Sequence, residues 1–335
     1  LMVTGDVPLT LLTDYVPAVH PTKGVANANL HVRGDQEARL VEGTLQIQQG
    51  QMTVSGLPAD FRDVQAALDL QGNRAEIREW RARLAEGNFS ATGAIGLNGE
   101  GWDFRLAFRE DEGRAERLLL GLYEGKGEVT GRLSLEGFLT SQGKEQDDFW
   151  RNLSGDLKLV LHDGRIGRYT VTAKILALLN ITHLVNSKGP DLGADSMPYQ
   201  RLTGDFKIAG GVARTDDLVL ESRAMKLSAV GTVNLAQDTV DMTVAIRPFQ
   251  NLDRVLTAIP LAGWILGGKE KSILVAYYRV TGSTRDPHVT AVPLQSVGRN
   301  VFGIFRNLLE IPETLTGPYE ELPPQPVKPE EGESR

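Results

Sequence analysis

The chain has 335 residues, of which 41% are apolar, and its formal net charge is −7 at pH 7. This length allows about two domains, and the acidic balance argues against a general nucleic-acid-binding surface. Because the chain has no cysteine, disulfides, thiolate metal sites and cysteine nucleophiles are excluded. No apolar run reaches the roughly 18 residues that a membrane-spanning helix needs.

The N-terminal region carries no recognisable secretory signal. The chain begins at Leu1, and no basic stretch followed by an apolar one comes after it. We therefore expect a C-terminal piece of a longer protein, and a cytoplasmic protein that needs no signal is the alternative. A short apolar segment at 9–15 predicts a first helix, which Pro17 and Pro21 would end.

From Gly24 onward the sequence alternates between apolar and polar or small residues, with glycine between many of the segments. This pattern predicts a long antiparallel meander of β-strands. The predicted fold class is therefore mainly β (α+β), a long curved antiparallel sheet forming an apolar groove, with a few amphipathic helices. Helical periodicity or composition places these helices at 113–122, 171–186, 252–266 and 294–309.

An internal repeat is indicated when the chain is compared with itself at an offset of 138 residues. Residues 68–109 align with 206–247 without a gap, and nine of the 42 aligned positions are identical. Chance similarity between glycine-rich alternating strands is the alternative explanation. A true repeat would stack similar units over one continuous apolar face.

Each predicted strand has one apolar face. Such a face must be covered by a second sheet, by helices, by a membrane or by lipid, and the predicted helices are few. We therefore expect an apolar groove that is left for a ligand, while a closed β-sandwich stays open as an alternative. The predicted groove lining is Phe89, Ile95, Phe104, Leu106, Phe108, Leu227, Val233, Val240, Met242, Val244 and Ile246.

Residues suited to catalysis or metal binding form no recognisable pattern. The five histidines are scattered without an HxxxH or HxxE pair, so no zinc site is predicted. Nucleophile-elbow, phosphate-loop and dinucleotide motifs are missing too. We predict a protein that is not an enzyme and has no catalytic residue, metal or cofactor. Basic residues do not cluster with aromatic ones, so no nucleic-acid partner is predicted.

The segment 294–309 predicts an amphipathic helix. Such a helix usually packs on its own domain; the alternative is that it plugs the end of the groove or lies on a membrane, with its arginines near anionic head groups. The predicted membrane-contact residues are Val297, Val301, Phe305, Leu308, Arg299 and Arg306.

Six marks follow one another in the second half of the chain. They are Leu179-Asn180, Pro198-Tyr199 before Gly204, the run Gly231-x-Val233-x-Leu235, Pro248, Ile259-Pro260-x-x-Gly263, and Gly282 with Asp286-Pro287. This order resembles the C-terminal region of AsmA-like proteins of the YhdP/TamB type, found in Gram-negative envelopes. The resemblance covers about residues 150–292, and residues 24–150 match only as generic groove strands.

The resemblance implies phospholipid transport along repeated β-grooves, as in bridge-like lipid-transfer proteins. It implies a periplasmic location, an inner-membrane anchor that precedes this chain, and as partners phospholipid acyl chains and the surfaces of the inner and outer membranes. Protein partners in the envelope stay unidentified. A scaffolding protein of outer-membrane assembly with a closed β-sandwich core is the alternative. We expect a β-groove segment at 1–150, an AsmA-like module at 151–311 and a disordered tail at 312–335.

Overall fold

The computed structural model describes most of the chain, and everything below concerns this part. The described residues are 1–12, 19–33, 40–54, 57, 59–98, 101–119, 129–167, 196–223, 225–248, 263–268, 271–293 and 296–311. The predicted helix at 171–186 and the predicted disordered tail at 312–335 lie outside them.

Sixteen antiparallel strands form one sheet. From β1 to β13 each strand pairs with the next one along the chain, so the sheet is the predicted meander. The strands are β1 (Met2–Pro8), β2 (Val19–Arg33), β3 (Leu40–Val54), β4 (Phe61–Gly72), β5 (Arg74–Leu84), β6 (Gly87–Asn98), β7 (Gly101–Arg114), β8 (Val129–Gly143), β9 (Ser154–Gly167), β10 (Ser196–Ala209), β11 (Val212–Glu221), β12 (Met225–Asn234), β13 (Thr239–Pro248), β14 (Gly263–Gly268), β15 (Lys271–Ser283) and β16 (His288–Ala291).

The order changes only at the C-terminal end, where β15 pairs with β13 on one side and with β14 and β16 on the other. The end strands β1 and β14 are not paired with each other. All described strands thus belong to a single open sheet, and the predicted fold class, mainly β with a long curved antiparallel sheet, is confirmed. The described part of the chain is therefore not a two-sheet sandwich.

Helices are short and few among the described residues. A 3₁₀ turn at Leu9–Leu12 begins the segment predicted as a first helix, α1 (Ala115–Leu119) lies within the predicted 113–122, and α3 (Arg299–Leu308) lies within the predicted 294–309. Helix α2 (Gln146–Asn152) was not predicted.

The predicted helix at 252–266 is wrong at its C-terminal end. Residues Gly263–Gly268 form the edge strand β14, in which Ile265 lies opposite Leu274 of β15. An apolar run of three residues between glycines is too short to distinguish a helical from a strand period, and the partner strand decides the outcome. The remainder of that predicted helix, 252–262, lies outside the described residues.

The main core lies on one face of the sheet. It is a continuous cluster of buried and half-buried apolar side chains that extends from Val7 in β1 to Val289 in β16. Strand register brings these side chains directly opposite one another, as in the pairs Leu135–Leu159 and Leu161–Leu202. We call this apolar face, which runs across the strands from one end of the sheet to the other, the lane.

One border of the lane carries a series of β-bulges, and we call it the bulged rim. It is the border at which β6 begins and β7 ends. At each bulge one strand has one residue more than its neighbour, for example residues 111–112 opposite Ser134. A bulge bends its strand and increases the local twist, so the series curves the sheet along this rim. The bulges contain non-glycine residues with positive φ, namely Gln49, Asp63, Glu112 and Asp163.

The internal repeat corresponds to strands. An offset of 138 residues carries β5, β6 and β7 onto β11, β12 and β13. Gly93 and Gly231 occupy equivalent positions with φ of 152° and 153°. The connection between β6 and β7 leaves two residues between the paired ends, whereas that between β12 and β13 leaves four. The pairing register therefore differs by two residues, which keeps every side chain on the same face.

Candidate functional site

The lane is the feature of the molecule that is best suited to binding. Its lining comes from alternate residues of successive strands, and the eleven residues predicted from the sequence all project from the lane face. For example, Leu106 of β7 lies opposite Leu139 of β8, and Ile95 of β6 lies opposite Phe104 of β7. The alternation of the sequence thus places these residues on one face of the sheet, in two groups, one on β6 and β7 and one on β12 and β13, with four strands between them.

Exposure divides the lane into two parts. In β6 and β7 the predicted lining residues Phe89, Ile95, Phe104, Leu106 and Phe108 are half-buried. Their apolar surface is therefore partly open to a ligand. In β12 and β13, by contrast, the four residues Leu227, Met242, Val244 and Ile246 are buried, while Val233 and Val240 are half-buried.

The border opposite the bulged rim is aromatic, and we call it the aromatic rim. Phe149 of α2 stacks on Phe104 with ring centroids 5.5 Å apart and lies 6.0 Å from Trp102. Because Phe104 belongs to the lane face, α2 lies across the lane at this rim. The Ser141 hydroxyl donates a hydrogen bond of 2.9 Å to the Phe149 carbonyl and holds the helix there.

Along the bulged rim, side chains fill spaces that glycines leave open. The Leu9 side chain lies over Gly24 and Gly50, where a Cβ would come within 3.0 Å of its Cδ1 atom. The Tyr199 ring lies over Gly131 and Gly164. Its hydroxyl donates a hydrogen bond of 2.6 Å to the Thr130 carbonyl, and burial raises the pKa of that hydroxyl.

A carboxyl group occupies a third space of this kind. The Glu110 side chain lies over Gly87 and Gly113, only 1% of it is exposed, and neither carboxyl oxygen has a hydrogen-bond partner among the described residues. Burial raises the pKa of Glu110 to about 8; the nearby Asp111 adds to the rise and Arg83 opposes it. Sequence reasoning missed this residue, although the alternation Phe104, Leu106, Phe108 predicts that Glu110 points into the lane.

The outer face of the sheet is charged. Arg105 pairs with Glu76 at 3.4 Å, and Arg109 pairs with Asp111 at 2.6 Å and with Glu136 at 3.5 Å. The Arg109–Glu136 pair links the adjacent strands β7 and β8, the Arg105–Glu76 pair reaches from β7 across β6 to β5, and all of these side chains are largely exposed. The outer face of β5 to β8 is thus hydrophilic, in contrast to the apolar lane.

Helix α3 packs on the outer face near the C-terminal end of the sheet. Phe305 is fully buried and lies 5.9 Å from the ring of Tyr277, and Val297 is buried in the same cluster. The helix end is held by Lys226, whose Nζ lies 2.9 Å from Glu310 Oε1 and 3.1 Å from Glu221 Oε1.

This placement is the first of the two alternatives for 294–309, packing on its own domain. Of the six predicted membrane-contact residues, Val301, Leu308 and Arg306 are half-buried and Arg299 is exposed. Membrane contact stays a prediction, and for Val297 and Phe305 it would require the helix to leave the sheet.

We also searched the described part of the chain for possible metal sites and for helices that could cross a membrane. No group of three or more His, Asp or Glu side chains is placed to hold a metal ion there. None of the described helices combines the length and the apolar character needed to cross a membrane.

Comparison with known proteins identifies a family. The model of the family described as YhdP protein matches residues 120–289, just over half of the chain. This range begins near the end of α1 and extends to β16, so it includes the lane from β8 onward. No curated protein and no solved structure matches.

Proposed function

Since the chain belongs to the YhdP family, we propose that it transports phospholipid along the lane without enzymatic chemistry. The observation that carries the proposal is the contrast between the two faces of one open sheet. The lane is continuous and apolar, whereas the outer face of β5 to β8 carries exposed ion pairs. The proposed location is the periplasm, with lipid moving between the inner and outer membranes.

The physical basis of transport is the burial of acyl chains. Each CH₂ group kept out of water contributes roughly 0.8 kcal/mol, so an acyl chain that leaves a bilayer needs an apolar surface along its whole path. The half-buried residues of β6 and β7 supply such a surface. An acyl chain that slides from one strand to the next exchanges equivalent contacts, while the polar head group moves along the rim of the lane.

Site-specific photocrosslinking tests this proposal. A photoreactive residue at Leu106 or Leu159, both on the lane, should capture phospholipid in cells or in vesicle mixtures. The matched positions Ala107 and Lys158, each one residue away and exposed on the outer face, should not. Mass spectrometry of the crosslinked protein identifies the lipid.

Equal labelling of both faces, or labelling of neither, would contradict transport along the lane. The half-buried positions are better suited to this test than Val244, which is 4% exposed. At Val244 a bulky photoreactive group would disturb packing before it could report on lipid.

A further inference from the structure

Glu110 is the one acidic side chain among the fully buried residues of the described chain. Its direct cross-strand neighbours are Phe89 in β6 and Leu135 in β8, both half-buried members of the lane. The carboxyl group therefore lies in the wall of the lane, next to the bulged rim. A buried carboxyl group without a partner is costly, so it needs an explanation.

The surroundings of Glu110 are built to hold its side chain. A Cβ at Gly113 would lie 2.6 Å from Glu110 Oε1, and one at Gly87 would overlap the same atom. Two glycines thus leave the space for the carboxyl group. Helix α1 begins at Ala115, and both Ala115 and Leu118 are buried in the core cluster of the lane. The carboxyl group is enclosed by apolar groups and backbone.

The charged groups around Glu110 are engaged with other partners. Arg83 of β5 donates to the Glu86 carbonyl at 2.6 Å, and Asp111 pairs with Arg109 on the outer face. In α1, Glu116 accepts a hydrogen bond from the Gly131 amide and Arg117 pairs with Glu86. From β6 and β8, glycine and apolar residues face the carboxyl group. No cation of the described chain neutralises it by direct contact.

We propose that Glu110 binds the ammonium group of an amine-bearing phospholipid whose acyl chains occupy the lane, an inference that rests on the proposed function. Without such a lipid the carboxyl group keeps a proton, consistent with its raised pKa of about 8. On binding, the side chain turns from its glycine space toward the lane between Phe89 and Leu135. The carboxyl proton leaves for water, and the carboxylate accepts charge-assisted hydrogen bonds from the ammonium group.

The proposal predicts both selectivity and a pH dependence. A lipid without a cation, such as phosphatidylglycerol, gains nothing from the carboxylate, whereas phosphatidylethanolamine gains an ion pair in an apolar site. Because binding releases a proton, the preference for phosphatidylethanolamine should strengthen between pH 6 and pH 8.5, as ionisation of the free carboxyl group becomes easier. A preference that comes from lane shape alone would not change with pH in this range.

The test uses the full chain incubated with vesicles of equal parts phosphatidylethanolamine and phosphatidylglycerol, followed by re-isolation and mass spectrometry of bound lipid. Wild type should carry phosphatidylethanolamine in about tenfold excess, the ratio given by roughly 1.4 kcal/mol. Glu110→Gln should carry both lipids equally. Glu112→Gln, an exposed neighbour on the same strand that pairs with Arg132, should behave like wild type.

A second variant separates a loss of lipid preference from a loss of folding. Glu110→Leu replaces the carboxyl group by an apolar side chain in an apolar site, so it should stay folded, keep total lipid loading and lose the preference. Equal loading of both lipids by wild type, or an unchanged preference in both Glu110 variants, would overturn this inference alone. Failure of wild type to take up either lipid would overturn the proposed function and this inference with it.

Discussion

At the scale of single residues, Gly231 is a position at which the sheet requires glycine. Its φ of 153° is a conformation that L side chains rarely adopt, and an added Cβ would lie 2.6 Å from the Met242 Cα atom and overlap the Asp241 carbonyl oxygen. Gly231→Ala should therefore destabilise the protein by about 1–3 kcal/mol, measured as a lower midpoint of urea unfolding.

Gly303 is the matched control for that substitution. It lies within α3, a Cβ added there would meet no atom within 4 Å, and its φ is not positive. Gly303→Ala should leave stability unchanged or raise it by roughly 0.5–1 kcal/mol, because alanine favours helix more than glycine does. Equal destabilisation by both substitutions would show that steric overlap at Gly231 is not the cause.

At the scale of elements, α3 depends on one aromatic residue. Phe305 is fully buried against Tyr277, so Phe305→Ala should cost about 3–5 kcal/mol and release the helix from the outer face. Hydrogen exchange at 299–311 should rise sharply while exchange in β7 stays slow. Phe138→Ala, at a site 46% exposed, should have little effect on either segment.

The ion pairs at the end of α3 give its docking a pH dependence. The hydrogen bond from Lys226 lowers the pKa of Glu310 below its ordinary value of 4.5, so this contribution is present above that value and is lost as acid protonates the carboxylate. Burial lowers the pKa of Lys226, but its ion pairs outweigh that effect and raise it above 10.5. The lysine contribution is therefore present below pH 10.5 and disappears in strong alkali.

Glu310→Gln tests this dependence. Protection of 299–311 from hydrogen exchange, corrected for the intrinsic rate, should fall in wild type between pH 5 and pH 3. In the variant it should start lower at pH 7 and change little over the same interval. Parallel loss in both proteins would mean that other carboxyl groups hold the helix.

The elements also show how much of the structure can be predicted from the sequence. The period-two pattern of Val240, Met242, Val244 and Ile246 was sufficient to place β13 and its lane face, since side-chain direction in a strand follows from position alone. The amphipathic pattern of 294–309 predicted a helix with one buried side. It could not indicate that the buried side meets the outer face of the sheet, because periodicity carries no information about the partner surface.

Other features depend on contacts between distant strands. The run Gly263–Gly268 becomes a strand because β15 offers it an edge. The space over Gly87 and Gly113 exists because a bulge displaces 111–112 relative to Ser134. Bulge positions are set by the pairing of two strands. The unusual surroundings of Glu110 therefore cannot be predicted from the sequence of β7 alone.

At the scale of the whole molecule, a single lane predicts a particular pattern of double mutants. Leu106 in β7 and Leu159 in β9 are half-buried lane residues two strands apart. An aspartate at either site places a charge on the path of the acyl chains, and moving an apolar chain past it is costly. Because both sites are partly open to water, each variant should stay folded while lipid transfer between donor and acceptor vesicles falls at least about tenfold, equivalent to 1.4 kcal/mol.

Blocks on one path act in series, so the double variant should transfer lipid about as slowly as the worse single variant. If lipid instead crossed by separate independent routes, each substitution would remove only the share of its own route, so the two single losses could not both reach tenfold and would add up in the double variant. Ala107→Asp on the outer face is the control and should leave transfer unchanged. Additive losses from Leu106→Asp and Leu159→Asp would contradict a continuous lane, even where crosslinking at each site captures lipid.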